Sequence, residues 1–367
     1  MSPLSSSQSK SKPSSLNIHI TSYNVLSSHL SEPAYYATLN PDHLNPINRL
    51  PVVLNKLDDE IENQNSSIIC LQEVSHDWAG ALHTYFANKG YHMVTGLYGR
   101  HFNGYMGVAT AFKLSDYTIL DVDISRLADK RENGWPRKPK EKSNFIKNIY
   151  KSIYKSVSST IKSIYFSVTG TKPKRITDPW VMSQNRFNQL VTIKLQDKKT
   201  KQSFAVGNYH MPCAFFAPQV MTIHTDLAAR HEQYSSMPYI LAGDWNIKPG
   251  DASYNLLTTG MMDKGAPEWP TPKYGMEWNP TSKPMRSAYA VASLDGKTEP
   301  DFTNYARVKE DEPFIDTLDY FFISDEWKVS KVKTLPHRDD CGGPFPNLDH
   351  NEPSDHILIA ANLELQL

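Results

Sequence analysis

The chain alternates between short apolar runs and amphipathic stretches. The segment LNIHITSYNVL switches between apolar and polar positions and is rich in β-formers, which predicts a strand from Ile18 to about Tyr23 with Asn24 at its end. Residues 47 to 63 place Leu50, Val53, Leu54, Leu57 and Ile61 at spacings of three and four, the period of an amphipathic helix. SIICLQEV then reads as a buried strand ending in Glu73. GVATAFK is a further strand, QLVTIKL and SFAVGNYH have the look of a hairpin pair, and PQVMTIHTDLAARHEQY is helical. YILAGDWN, LDYFFIS and HILIAANLEL complete the predicted strands.

Strands and helices are therefore interspersed along the chain, and the hairpin signals favour mixed or antiparallel sheets over a purely parallel one. Polar residues punctuate the strand ends. Asn24, Glu73, His210, Asp244, Asn246 and His356 each lie beside an apolar strand, and Asp319 starts one. A single charged strand end is ordinarily just solvated. Seven, of types that bind metal or move protons, suggest a site. ILAGDWN shows the ambiguity in miniature. Gly, Asp and Asn are the usual turn residues, yet Asp244 and Asn246 at i and i+2 would point to the same side of an extended chain.

Composition narrows the class. The 367 residues carry no formal net charge, enough chain for a large core. Three cysteines without a CxxC pattern argue for a reducing compartment, with Cys70 as a core thiol. The expected location is cytoplasmic or nuclear rather than secreted. Residues 1–15 are Ser-, Lys- and Pro-rich and read as a disordered tail without the apolar core of a secretory signal. No apolar run approaches the roughly 20 residues that span a bilayer. Residues 16–367 then form the folded domain, interrupted at 129–178 by a stretch with thirteen Lys/Arg and four Asp/Glu. Within it Ile146, Ile149, Ile153, Val157, Ile161 and Ile164 recur at spacings of three and four, predicting a basic amphipathic helix over about 143–167. Such a helix can pack on the core, lie on an anionic membrane surface or extend a surface for RNA.

The candidate site has hard oxygen ligands. Glu73, Asn24 and Asp355, with Asp244 and Asn246 nearby in type, suit Mg²⁺ or Mn²⁺ rather than Zn²⁺. The LDY run at 318–320 and the SDH run at 354–356 supply an acid–base pair, in which Asp319 would fix the tautomer of His356 and raise its basicity. His210 would donate to a phosphate oxygen.

TSYNVL, IICLQEV, GNYHMP, LAGDWN, DTLDYFFIS and PSDHILIAANLEL, in this order, resemble the endonuclease/exonuclease/phosphatase superfamily. The run from Ser287 to Phe322, with its FTNY and DTLDYFF segments, resembles the branch holding the carbon-catabolite-repressor deadenylases, nocturnin, the Angel proteins and the 2′,5′-phosphodiesterase. The resemblance implies an α/β fold, a four-layer sandwich of two mixed β-sheets flanked by helices. It implies Glu73 as principal metal ligand with Asn24 close by, and Asp355 hydrogen-bonded or metal-linked. Asp244 would position or deprotonate the water, Asn246 would contact the phosphoryl oxygens, His210 would stabilise the transition state, and Asp319 would orient His356. Phe314 stands where the deadenylases have a base-stacking Phe, the other reading being core packing. The MPCAFFAP loop after His210 and the basic insertion depart from the family pattern.

The function that follows is a Mg²⁺-dependent phosphodiesterase, a deadenylase-like 3′–5′ exoribonuclease. The alternatives are the same chemistry on DNA, a phospholipid or a soluble nucleotide, and a non-catalytic RNA-binding protein on this scaffold.

Overall fold

The computed structural model of the chain describes residues 15–139, 178–233 and 236–366. The predicted basic helix at 143–167 lies outside the described residues. Fourteen strands are present among the described residues: β1 (Leu16–Asn24), β2 (Ile68–Val74), β3 (Tyr91–Leu97), β4 (Gly107–Lys113), β5 (Tyr117–Arg126), β6 (Gln189–Asp197), β7 (Ser203–His210), β8 (Tyr239–Asp244), β9 (Arg286–Ser287), β10 (Asn304–Ala306), β11 (Phe314–Asp316), β12 (Asp319–Ile323), β13 (Trp327–Val332) and β14 (Ile359–Leu365). They form two six-stranded sheets, β13-β14-β1-β2-β4-β3 and β5-β6-β7-β8-β12-β9, plus a β10–β11 ribbon. Both large sheets are mixed: β1–β2 and β7–β8 are parallel and the other neighbours antiparallel.

The sheets pack face to face through Ile20, Ile68 and Val108 of one and Ile193, Val206, Ile240 and Phe321 of the other, all buried. The helices Pro46–Asp58 and His76–Asn88 cover the far side of the first sheet through Val53, Leu57, Trp78, Leu82 and Phe86. The helices Pro218–Gln233 and Ala252–Thr259 cover the second. The periodic Leu50–Ile61 stretch is helical as expected. Asn45 caps it by accepting the Ile47 N–H at 3.0 Å, Pro46 occupies the first turn where no N–H is needed, and its last turn widens into a π-helix at Asp59–Asn63.

One predicted strand starts late. HILIAANLEL was expected to be extended throughout, but β14 begins at Ile359. His356 instead bridges Asn304, and the Ile357 N–H donates to the Thr303 carbonyl at 2.7 Å. The chain is drawn off the sheet there to bring His356 against the start of β12.

Register fixes the functional end of the second sheet. Asp244 pairs with His210 on one side and with Asp319 on the other, so three polar strand ends stand abreast on β7, β8 and β12. Gly243 makes this possible. Its φ is +142°, and an added Cβ would stand 1.8 Å from the Tyr209 carbonyl oxygen. No side chain fits between β7 and β8 at this point. Trp245 follows, fully buried, with its ring edge-on to Tyr209 at 5.8 Å and Phe322 at 5.2 Å. The Gly243→Ala variant is expected to lose more than about 3 kcal/mol of stability through the close contact and the strained φ, measured as the fall in urea midpoint. A midpoint like that of the native chain would contradict this packing.

Candidate functional site

The site lies where the ends of β1 and β2 in the first sheet meet the ends of β7, β8 and β12 in the second. Beneath it the sheets are joined by buried amides. Gln72 Nε2 donates to Asn208 Oδ1 at 2.9 Å, and Asn208 Nδ2 donates back to the carbonyls of Leu71 and Ala109 at 3.1 and 2.9 Å. At the site, Asn24 Nδ2 donates to Asp244 Oδ2 at 2.9 Å, again from sheet to sheet.

Glu73 is presented by irregular backbone. The β2–β4 register shifts between Leu71 and Val74, and Glu73 itself has φ of 57°. A bulge re-aims a side chain, and here it turns Glu73 toward the second sheet. Its Oε2 accepts the Ser27 N–H at 3.0 Å, while its Oε1 lies 3.8 Å from His210 Nε2. Burial pushes the Glu73 carboxyl above the ordinary range, the His210 imidazole working against that shift.

Asp244 is the hub. Its Oδ2 accepts from Asn24 and lies 3.5 Å from His210 Nε2 and 3.6 Å from His356 Nε2. Its Oδ1 accepts the Asn246 N–H at 2.9 Å. The pairing of Asp244 with Asn246 is therefore made by a turn and not by strand periodicity. Asn246 has φ of 49°, and its Nδ2 donates to the Met211 carbonyl at 3.0 Å. Both readings of the ILAGDWN stretch hold: the turn is what builds this wall of the cluster.

Asp319 and His356 form a buried pair, Oδ2 to Nδ1 at 2.7 Å. Thr303 Oγ1 donates to the same carboxylate oxygen at 2.7 Å and accepts the N–H groups of Leu318 and Asp319 at 2.9 and 3.0 Å. Burial opposes protonation of His356, but the carboxylates of Asp319 and Asp244 outweigh it and hold the imidazole well above its usual range. Burial raises the Asp319 carboxyl, with His356 pulling it back. Asp355, next in the chain, accepts the Tyr36 hydroxyl at 2.9 Å through Oδ2. Arg49, fully buried, donates to the carbonyls of Val25, Leu26 and Pro353 at 2.6, 2.6 and 2.5 Å, tying the loop after Asn24 to the one before Asp355.

Among the described residues no Lys or Arg forms an ion pair within 4 Å of Glu73, Asp244, Asp319 or Asp355; the close ionic partners of Glu73, Asp244 and Asp319 are histidines. Asp244 and Asp319 share the His356 imidazole, which leaves the Glu73 carboxylate as the one best placed to hold a cation. The donor set of oxygens fits Mg²⁺ or Mn²⁺. Asp244, Asp319 and His356 also offer ligand atoms within 4.8 Å of one another. Their mutual contacts argue against a metal there, since the 2.7 Å bond already commits Asp319 Oδ2 and His356 Nδ1 to each other.

Phe314 is not a core residue. It is 38% exposed, and its ring stands 6.2 Å from that of Phe215 in the MPCAFFAP loop. All nine sequence-predicted site residues thus fall at this end of the sheets. Sequence reasoning missed Arg49, which lies in the helix Pro46–Asp58, and Phe215, Thr303, Tyr36, Tyr98 and Asn188, which sit in loops or beside strand ends. For Phe215 the signal was there: two adjacent phenylalanines between Pro212 and Pro218, five residues after His210.

The sequence pattern of the Endonuclease/Exonuclease/phosphatase family matches residues 21–356. The chain belongs to that family, the class of phosphodiester hydrolases its motifs resemble. Carbon catabolite repressor protein 4 homolog 4 of Arabidopsis thaliana is 37% identical over 131 residues, covering 35% of this chain and 27% of that protein. The CCR4-Not complex 3′-5′-exoribonuclease subunit Ccr4 of Neosartorya fischeri is 26% identical over 378 residues, covering 95% of this chain and 47% of that protein. The chain thus spans less than half the length of these curated relatives. The solved structure of ANGEL2, a 2′,3′-cyclic phosphatase, in complex with adenosine-2′,3′-vanadate superposes with a TM-score of 0.66 at 19% identity, covering 96% of this chain and 97% of that one. It shares the two-sheet fold. Among the described residues no helix is long and apolar enough to cross a membrane.

The Thr303→Val variant keeps the shape of the side chain and leaves two buried amides and one carboxylate oxygen short of a partner. It is expected to cost about 2 kcal/mol or more, measured by urea denaturation. A change near zero would remove Thr303 from the support of Asp319.

Proposed function

We propose that the protein is a divalent-cation-dependent phosphodiesterase acting on single-stranded RNA, cleaving it as a 3′–5′ exoribonuclease. The observation that carries the reading is the continuous chain of contacts from Glu73 through His210, Asp244 and Asn24 to His356 and Asp319, in which, among the described residues, no Lys or Arg pairs with the carboxylates. The similarity to Ccr4, a 3′-5′-exoribonuclease subunit, over 95% of this chain supports RNA as substrate.

Glu73 would hold Mg²⁺ or Mn²⁺, with Asp355 and Asn24 beside it. When bound, such an ion polarises a phosphoryl oxygen and stabilises the charge that develops on it. The chain's own residues do the rest. Asp244 Oδ2, between two imidazoles and the Asn24 amide, holds the attacking water and takes its proton. Asn246 and His210 face the phosphoryl oxygens from one side. His356, kept protonated by Asp319, donates from the other. The exposed Phe215–Phe314 pair takes the base by stacking, which tolerates sequence because every base has a π-face.

The purified protein is expected to shorten a labelled oligoribonucleotide from its 3′ end with Mg²⁺, and not with EDTA or as Glu73→Gln. A matched DNA, an inositol phospholipid and a 2′,3′-cyclic nucleotide define the competing substrates. Turnover of one of these with none on RNA would overturn the proposal. Phe215→Ala with Phe314→Ala should raise KM for RNA by about tenfold or more, in line with the worth of one stacked base, and leave kcat on bis(p-nitrophenyl) phosphate unchanged. An unaltered KM would place the base elsewhere.

A further inference from the structure

The two histidines of the site are held in different ways. His356 has a carboxylate at Nδ1. His210 has a phenol: Tyr98 Oη lies 3.3 Å from His210 Nδ1. A carboxylate can only accept, so it fixes a proton on Nδ1 of His356. A phenol can donate or accept, and the surroundings decide which.

Asn188 makes that decision. Its Nδ2 donates to the His210 carbonyl at 2.8 Å and to Tyr98 Oη at 3.3 Å. The first contact fixes the orientation of the amide, because a carbonyl accepts only from the nitrogen end. The second therefore brings a hydrogen to Tyr98 Oη. The phenol oxygen accepts from Asn188, and its own proton points to His210 Nδ1, its one other polar partner among the described residues. Burial keeps the Tyr98 phenol protonated far above neutral pH, so it remains a donor.

We propose that Tyr98 and Asn188 are positioning residues that keep His210 Nδ1 as a hydrogen-bond acceptor and so place the ring proton on Nε2. The Nε2–H then points at the cluster. Asp244 Oδ2 at 3.5 Å and Glu73 Oε1 at 3.8 Å are both too far to take it as a close hydrogen bond. The donor is left for an oxygen of the incoming phosphodiester. The opposite tautomer would turn a lone pair toward two carboxylates and offer the substrate nothing. The site would thus carry two imidazole Nε2 donors, one oriented by a phenol and one by a carboxylate. This inference rests on the phosphodiesterase reading for its catalytic consequence, but the tautomer itself is independent of it.

The test uses the full chain labelled with ¹⁵N at histidine, with His210 assigned by the signals lost in His210→Ala. Long-range ¹H–¹⁵N spectra should show a bare, pyridine-type Nδ1 and a protonated, pyrrole-type Nε2. Tyr98→Phe removes the donor, and Asn188→Asp offers the Tyr98 proton a better acceptor. Each should shift His210 toward the other tautomer. Each should lower kcat on bis(p-nitrophenyl) phosphate by about tenfold, a fraction of what losing a transition-state donor outright costs, with KM little changed. Tyr98→Phe added to His210→Ala should cost nothing more, since both act through one imidazole. A wild-type His210 protonated on Nδ1 would overturn the proposal, as would a Tyr98→Phe protein with tautomer and kcat unaltered. If Tyr98→Phe fails to fold, as read from its urea midpoint, Asn188→Asp decides. If the wild type turns over no phosphodiester, the functional reading falls and the spectra alone decide the tautomer.

Discussion

The hydrogen bond from Asn24 to Asp244 is one of a few buried amide contacts joining two sheets that touch mainly through apolar side chains. Everything at the site depends on those sheets being held in one relative position. Glu73 belongs to the first, while His210, Asp244 and Asp319 belong to the second. An apolar interface is non-directional and tolerates sliding. The directional constraint comes from the buried amides of Gln72 and Asn208 below the site and of Asn24 within it. A misaligned buried amide would lose its partners in a medium where that is costly. This is the physical reason for placing carboxamides, rather than further aliphatic side chains, near the ends of β1, β2 and β7.

Within the second sheet, position is set by register. Strand pairing puts His210, Asp244 and Asp319 abreast without any loop being asked to be rigid. Sites built on strands are more exact than sites on loops. The loops that do contribute are tied down individually, by Arg49 on three carbonyls and by Thr303 on two amides and a carboxylate. Left-handed backbone occurs at Glu73 and Asn246, where strand geometry would aim the side chains wrongly. Such strain persists where the surroundings over-determine it.

The apolar strand runs and the polar residues at their ends are local patterns, so Asn24, Glu73, His210, Asp244 and Asp319 could be read directly from the chain. Their mutual arrangement could not. The spacing of Asp244 and Asn246 suggested a shared face, and the structure brings them together by a turn with Asn246 left-handed. The end of HILIAANLEL nearest the site read as strand because it is apolar, and it is bent away by bonds to Thr303 and Asn304, residues some fifty positions earlier. Tyr98 and Asn188 carry no signal at all: a tyrosine at a strand end and an asparagine before a strand are unremarkable until folding sets them against His210. The residues of the candidate site are legible because their types are few. Those that orient them are drawn from ordinary side chains and are defined only by tertiary contacts.

In the proposed function the site divides into a cation-holding part at Glu73 and a proton-handling part at Asp244, Asp319 and His356. Anomalous scattering from crystals soaked in Mn²⁺ with a non-hydrolysable phosphorothioate dinucleotide would locate the ion directly. The account predicts one ion bound by the Glu73 carboxylate, with the Asp319–His356 bond intact. An ion seated among Asp244, Asp319 and His356, with that bond broken, would contradict it.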